Sequence, residues 1–264
     1  MNATFLEFVL RSKFITLIRF NDFRSMKLVA FYLLVFFPIS CGSGNAFEAL
    51  DSQDPAEKAS ALLEESKEDE AISLLEEALE DDPQNAQFLS ILATAKAQKA
   101  GIDTIEFVLK LAEDSADDAE PSENTTGNNE IIGLFDIVPV ADDATISLMQ
   151  EAVALLDQID TEQKIAADHF KESMYYSILM TLRTKFIDID GDGSLSAEEI
   201  LALDDEQAIA IISDLANAES SLAGFAGEDS KEEDAAEQVG ALSAAIASQP
   251  GDNDAEKLRS FLSN

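Results

Sequence analysis

The chain has no tryptophan, and its 264 residues include one cysteine, Cys41, and one histidine, His169. A lone cysteine cannot close an internal disulfide, and one cysteine with one histidine is too few soft ligands for a tetrahedral zinc site. The single histidine also rules out any two-histidine metal motif. Basic residues are scarce: 17 Lys and Arg stand against 53 Asp and Glu, a formal net charge of −36. Five of the basic residues (Arg11, Lys13, Arg19, Arg24 and Lys27) precede Cys41, so the acidic excess is concentrated after it. Such a polyanion is repelled by phosphate backbones, and no nucleic-acid partner is expected. A Gly-rich phosphate loop, a G-x-S-x-G elbow and an aromatic sugar platform are all missing, so an enzyme is not expected. A carboxylate-based hydrolase is the remote alternative.

Alternating β-branched patterns are scarce as well, while Ala, Leu, Ile, Glu and Asp dominate. That composition points to an all-α fold. Long apolar runs are confined to the start of the chain. From Met26 it reads "MKLVAFYLLVFFPISCGSG", in which Lys27 precedes the uncharged run Leu28 to Phe37. Ten residues are too few to span a bilayer comfortably and suit the core of an export signal. Ser40, Cys41 and Gly42 follow Pro38, and this segment resembles a bacterial lipoprotein signal. The resemblance implies cleavage before Cys41, acylation of that residue and a lipid-anchored protein of the bacterial cell envelope. An ordinary secretory signal and a retained anchor are the alternatives. Residues 1–41 are set aside from fold reasoning, with Met26 as a possible true start.

After a small linker, Pro55 suits a first helical turn, and Ala59, Leu62 and Leu63 fall at helical spacing. Ala71, Ile72, Leu75, Ala78 and Leu79 continue on a second helix. Asp82-Pro83 stops it, and Asn85 is placed to cap a third. A further helix is expected near Thr104 to Glu113. Ala59, Ala71, Ala78 and Pro83, with Leu89, Leu92 and Ala93 opening another copy, resemble a tetratricopeptide repeat. The resemblance covers residues 46–113 and implies paired helices and a protein partner held through them. A generic helical hairpin is the alternative. Two such units are fewer than the three that normally bury a continuous core, so they must lean on another part of the chain or on a partner.

Residues 114–135 begin as a polar, acidic stretch with few apolar groups and read as a flexible linker. A bundle is expected over 136–225. Its first helix is capped at Asp142 or Asp143, and its second is capped at Thr161 with the stripe Ile165, Phe170, Met174, Ile178, Leu182 and Phe186. The tail, 226–264, promises an Ala-rich helix and a short terminal one after Gly251, packed weakly.

Within the bundle stands "DIDGDGSLSAEE", residues 188–199. Asp188, Asp190 and Asp192 are two residues apart, so a tight wrap can aim three carboxylates at one point. Gly193 permits the sharp turn that points the Ser194 carbonyl inward. Ser196 can act directly or through a water. Glu199 arrives from the first turn of the next helix, and with Ser196 it is spaced as a capping box. The stretch resembles the EF-hand family at every liganding position. The resemblance implies Ca²⁺ held by Asp188, Asp190, Asp192, Ser194, Ser196 and Glu199, the last supplying two oxygens. No second loop of this kind is evident. The expected protein is a calcium-binding, lipid-anchored envelope module with a structural or interaction role. The alternative is a calcium sensor that exposes Met174 and Met180 to a partner.

Overall fold

The structure is a computed structural model that describes residues 54–104, 128–225 and 230–263. The signal segment, Cys41 and the helix expected beyond Thr104 lie outside the described residues. All described residues belong to one compact unit, Ser52–Asn264. The fold is all-α, with no strand among the described residues.

The first three helices are α1 (Pro55–Glu64), α2 (Glu68–Asp81) and α3 (Ala86–Lys99). Pro55 opens α1, where its missing N–H costs no helical bond. The Asn85 side chain accepts from the Phe88 N–H at 3.2 Å and caps α3. The three helices pack on one another around Ala59, Ala71, Ile72, Leu75, Leu92 and Ala95. Ala59, Ala71 and Ala95 are fully buried, and their small side chains let the helix backbones approach closely.

A short helix α4 (Asn128–Gly133) and a 3₁₀ turn (Phe135–Ile137) follow. The linker expected over 114–135 is therefore structured at its end. Ile131 and Phe135 are buried, which offsets the entropy of ordering that short segment. Lys185 Nζ donates to the Phe135 and Val138 carbonyls at 2.7 and 3.1 Å and fastens it to the long helix described next.

Helices α5 (Asp143–Asp157), α6 (Ala166–Lys185) and α8 (Asp205–Phe225) form the body of the bundle, with α7 (Ala197–Ala202) between α6 and α8. The Asp142 carboxylate caps α5 through the Thr145 N–H at 2.8 Å. Helix α6 does not start at Thr161. It begins after Ile165, whose N–H donates to the Asp168 carboxylate at 3.2 Å, and residues 161–163 form a turn. The expected α6 stripe is also narrower than read. Met174, Ile178 and Leu182 are buried, whereas Ile165, Phe170 and Phe186 are exposed at 63%, 38% and 39%. The face turned inward carries Tyr175, Leu179 and Thr184 instead. Thr184 is accommodated there because its hydroxyl donates to the Met180 carbonyl at 2.9 Å.

Besides the cluster within α1–α3, two larger cores hold the molecule together. In the first, Leu89, Ala93 and Ala97 of α3 meet Met149, Val153 and Leu156 of α5 and Tyr175, Ile178 and Leu182 of α6. Helix α3 thus buries a second face on the bundle. A polar tether reinforces the junction: Ser90 Oγ donates to Asp168 Oδ1 at 2.7 Å and accepts from Lys171 Nζ at 2.8 Å. The second core surrounds the ends of α6 and α7 and is closed by the C-terminal helices α9 (Ser230–Ala247) and α10 (Asp254–Leu262). The tail, expected to pack weakly, contributes Ile246, Ala255, Leu258, Phe261 and Leu262 to this core. Among the described residues no helix is long and apolar enough to cross a membrane.

Candidate metal site

Helix α6 ends at Lys185, and the buried Ile187 anchors the chain to the second core just before Asp188. Beyond the loop, Ser196 caps α7, whose Ile200 is buried, with Leu203 buried just after it. Both ends of the loop are thus pinned by apolar packing, and apart from Ile189 and Leu195 the residues between are polar or glycine and mostly exposed.

Within the loop the backbone wraps around its own carboxylates. Asp188 Oδ1 accepts from the Gly191 and Asp192 N–H groups at 2.8 and 3.2 Å, and Oδ2 accepts from the Gly193 N–H at 2.9 Å. Asp190 Oδ1 accepts from the Asp192 N–H at 3.2 Å. Asp192 Oδ1 accepts from the Ser194 N–H at 2.9 Å and from its hydroxyl at 2.5 Å. The wrap requires left-handed backbone at Gly191 (φ +70°) and Gly193 (φ +80°). A Cβ at either would meet nothing within 4 Å, so glycine is needed there for its backbone freedom and not for space.

The result is a cluster in which one oxygen from each of Asp188, Asp190 and Asp192 lies within 4.8 Å of the others. No other group of three or more such residues occurs among the described residues. Crowding has an electrostatic consequence at Asp190. The Asp192 N–H pulls its pKa down, but desolvation and the carboxylates of Asp192, Glu199 and Asp188 outweigh that bond and raise it.

Glu199 is brought to the loop but not into this cluster. It is 8% exposed, and its two oxygens tie the ends of the loop together. Oε1 accepts from the Ile189 N–H at 2.7 Å, and Oε2 accepts from the Ser196 N–H and hydroxyl, both at 2.8 Å. Those bonds, the Ser196 N–H and hydroxyl foremost, hold its pKa down to about 2. Ser196 completes the capping box by accepting from the Glu199 N–H at 3.3 Å. The Ser194 hydroxyl is spent on Asp192, which leaves its carbonyl as the group available to a ligand.

The donor set is oxygen only, anionic and held on a turn. That chemistry fits a hard divalent cation and does not fit zinc or copper, which prefer nitrogen and sulfur. Sequence reasoning passed over a second polar group, the face of α6 bearing His169, Glu172 and Tyr176. The signal was their i, i+3, i+7 spacing, which places them on one side of the helix. In comparisons with protein-family models, curated proteins and solved structures, nothing matches this chain.

Proposed function

We propose that residues 188–199 bind calcium and that the chain acts as a calcium-binding structural or interaction module, held at a bacterial envelope membrane by lipid on Cys41. The observation that carries the metal reading is the convergence of three aspartate carboxylates on a turn with two left-handed glycines. Calcium accepts six to eight oxygen ligands, and a loop offering carboxylates, a carbonyl and Glu199 suits its large, irregular shell better than the octahedron of magnesium. In this reading Glu199 turns from clamping the Ile189 and Ser196 N–H groups toward the ion. Binding relieves the repulsion among the aspartates and stabilises the fold by mass action.

Met174 and Met180 are 7% and 2% exposed. A sensor would have to bring both to the surface on binding calcium. The repeat-like helices α1–α3 remain the surface proposed for a protein partner.

Calorimetric titration of calcium into the chain from Gly42, with helicity followed in parallel, tests the reading. Saturable calcium binding, matched by no comparable magnesium response, is expected. Glu199→Gln should weaken it by tenfold or more, about 1.4 kcal/mol, while the variant keeps its helicity. Absence of binding at millimolar calcium overturns the proposal.

A further inference from the structure

A cleft of about 350 Å³ opens between the start of α6 and the end of α8, well away in sequence from the 188–199 loop. It lies in the lower part of the volume range of small-molecule sites, about 300–1,000 Å³. Glu172, Tyr176 and Ser221 are buried, Lys164 and His169 are half-buried, and Asn217, Ser220 and Thr161 are exposed. None of the lining side chains is aliphatic apart from the stem of Lys164. Two helices meeting elsewhere in this bundle do so through Leu, Ile, Met and Ala. Here the facing stripes are polar.

The charges in the cleft already have partners. The Lys164 ammonium is bonded to the Glu172 carboxylate, and the Tyr176 hydroxyl donates to Asp157 Oδ2 at 2.6 Å. What remains unmet is hydrogen-bonding capacity. His169 Nδ1 is buried without a hydrogen-bond partner, 3.9 Å from Glu172 Oε2. The imidazole is seated against the backbone of α8 at Gly224, where a Cβ would come within 2.7 Å of the ring. Nδ1 is itself covered by that backbone, so the cleft presents other edges of the ring and the polar groups at its mouth. The Asn217 amide and the Ser220 hydroxyl stand at the mouth of the same cleft.

This inventory selects the ligand by its chemistry. An anion meets two carboxylates and the field of a strongly acidic chain. A cation must displace Lys164 from Glu172, and an apolar molecule would strip water from the carboxylates, amide and hydroxyls of the lining. We propose that the cleft binds a small neutral polyhydroxyl compound, whose hydroxyls both donate to the carboxylates and accept from Asn217 and Lys164. Apart from the Tyr176 and His169 rings the lining is polar, so binding rests on hydrogen bonds that compete with water and is weak.

Because His169 is the only histidine in the chain, its imidazole gives a single set of resonances that reports on the cleft alone. The test is a titration of the full mature chain with d-glucose and with myo-inositol, following those resonances by NMR. At least one polyol should produce a saturable shift with a millimolar midpoint. Ser220→Leu, at the exposed mouth, should weaken it about tenfold or more. Ser213→Leu, exposed on the same helix outside the cleft, should leave it unchanged, with both variants confirmed folded by circular dichroism. A shift that drifts without saturating for both polyols, one equally strong in Ser220→Leu, or a saturable response to phosphate or methylammonium instead overturns the proposal.

Discussion

Asp214 is 6% exposed and accepts from Arg183 Nε at 2.7 Å, joining α8 to α6. Burial raises its carboxyl to about 6 from the ordinary value of 3.8, against the pull of the Arg183 guanidinium. Between those values the native state keeps a proton that the unfolded chain has released. Its contribution to stability therefore falls as pH rises from about 4 to about 6 and is constant above that. Asp214→Asn mimics the protonated form. The variant and the parent should be similarly stable near pH 4. Near pH 7 the variant should be more stable by about 1–3 kcal/mol, as read by urea unfolding at the two pH values. Equal stability differences at both would mean that the carboxyl is not raised. Nothing in the local sequence announces this residue. Asp214 is one of 53 acidic side chains, and it is singled out only by the helix packed over it.

At the scale of elements, the flanks of the 188–199 loop do not stand alone. Ile187, Ile200 and Leu203 form one core with Ala255, Leu258, Phe261 and Leu262 of α10. Arg259 adds two bonds to the Leu203 carbonyl, at 2.9 and 2.7 Å, and one to Asp205 at 2.6 Å. Helix α7 has only six residues, too few for its own hydrogen bonds to hold it. Its position depends on this cover. Leu258 is fully buried at the centre of the cover, and Leu258→Ala should destabilise the protein by about 2–5 kcal/mol. Chemical denaturation measures this directly, and a loss below about 1 kcal/mol would show α10 to be dispensable. The terminal helix itself is legible in sequence as a short element after Gly251, and the structure caps it at Asn253, which accepts from the Glu256 N–H at 2.9 Å. Its depth of packing is not legible. A nine-residue stripe says which face is apolar but not whether a matching groove exists.

For the whole molecule, self-repulsion is the governing electrostatic fact. A net charge of −36 on a 264-residue chain disfavours any compact state at low ionic strength. Raising monovalent salt from about 0.01 to about 0.15 M shortens the screening length from about 30 to about 8 Å. The melting temperature should therefore climb with sodium chloride in the absence of divalent ions. Thermal denaturation across that series measures the effect, and a flat or falling melting temperature would contradict it. Calcium added at constant ionic strength then separates site binding from screening.

The all-α class, the caps at Asp142 and Asn85 and the convergence of three aspartates were determined by sequence alone. Each is a local matter: helical periodicity, a side-chain oxygen facing a free N–H three residues on, and carboxylates two residues apart around left-handed glycines. The tertiary structure decided the rest. It turned Ile165, Phe170 and Phe186 outward and Thr184 inward. It joined Leu89 and Ala93 of the first helices to Met149 and Tyr175 of the bundle, and it placed α10 across the flanks of the 188–199 loop. It also set Glu172 of α6 opposite Ser221 of α8 to make a polar cleft. Such outcomes depend on which faces meet across tens of residues, and periodicity within a single helix does not encode its neighbour.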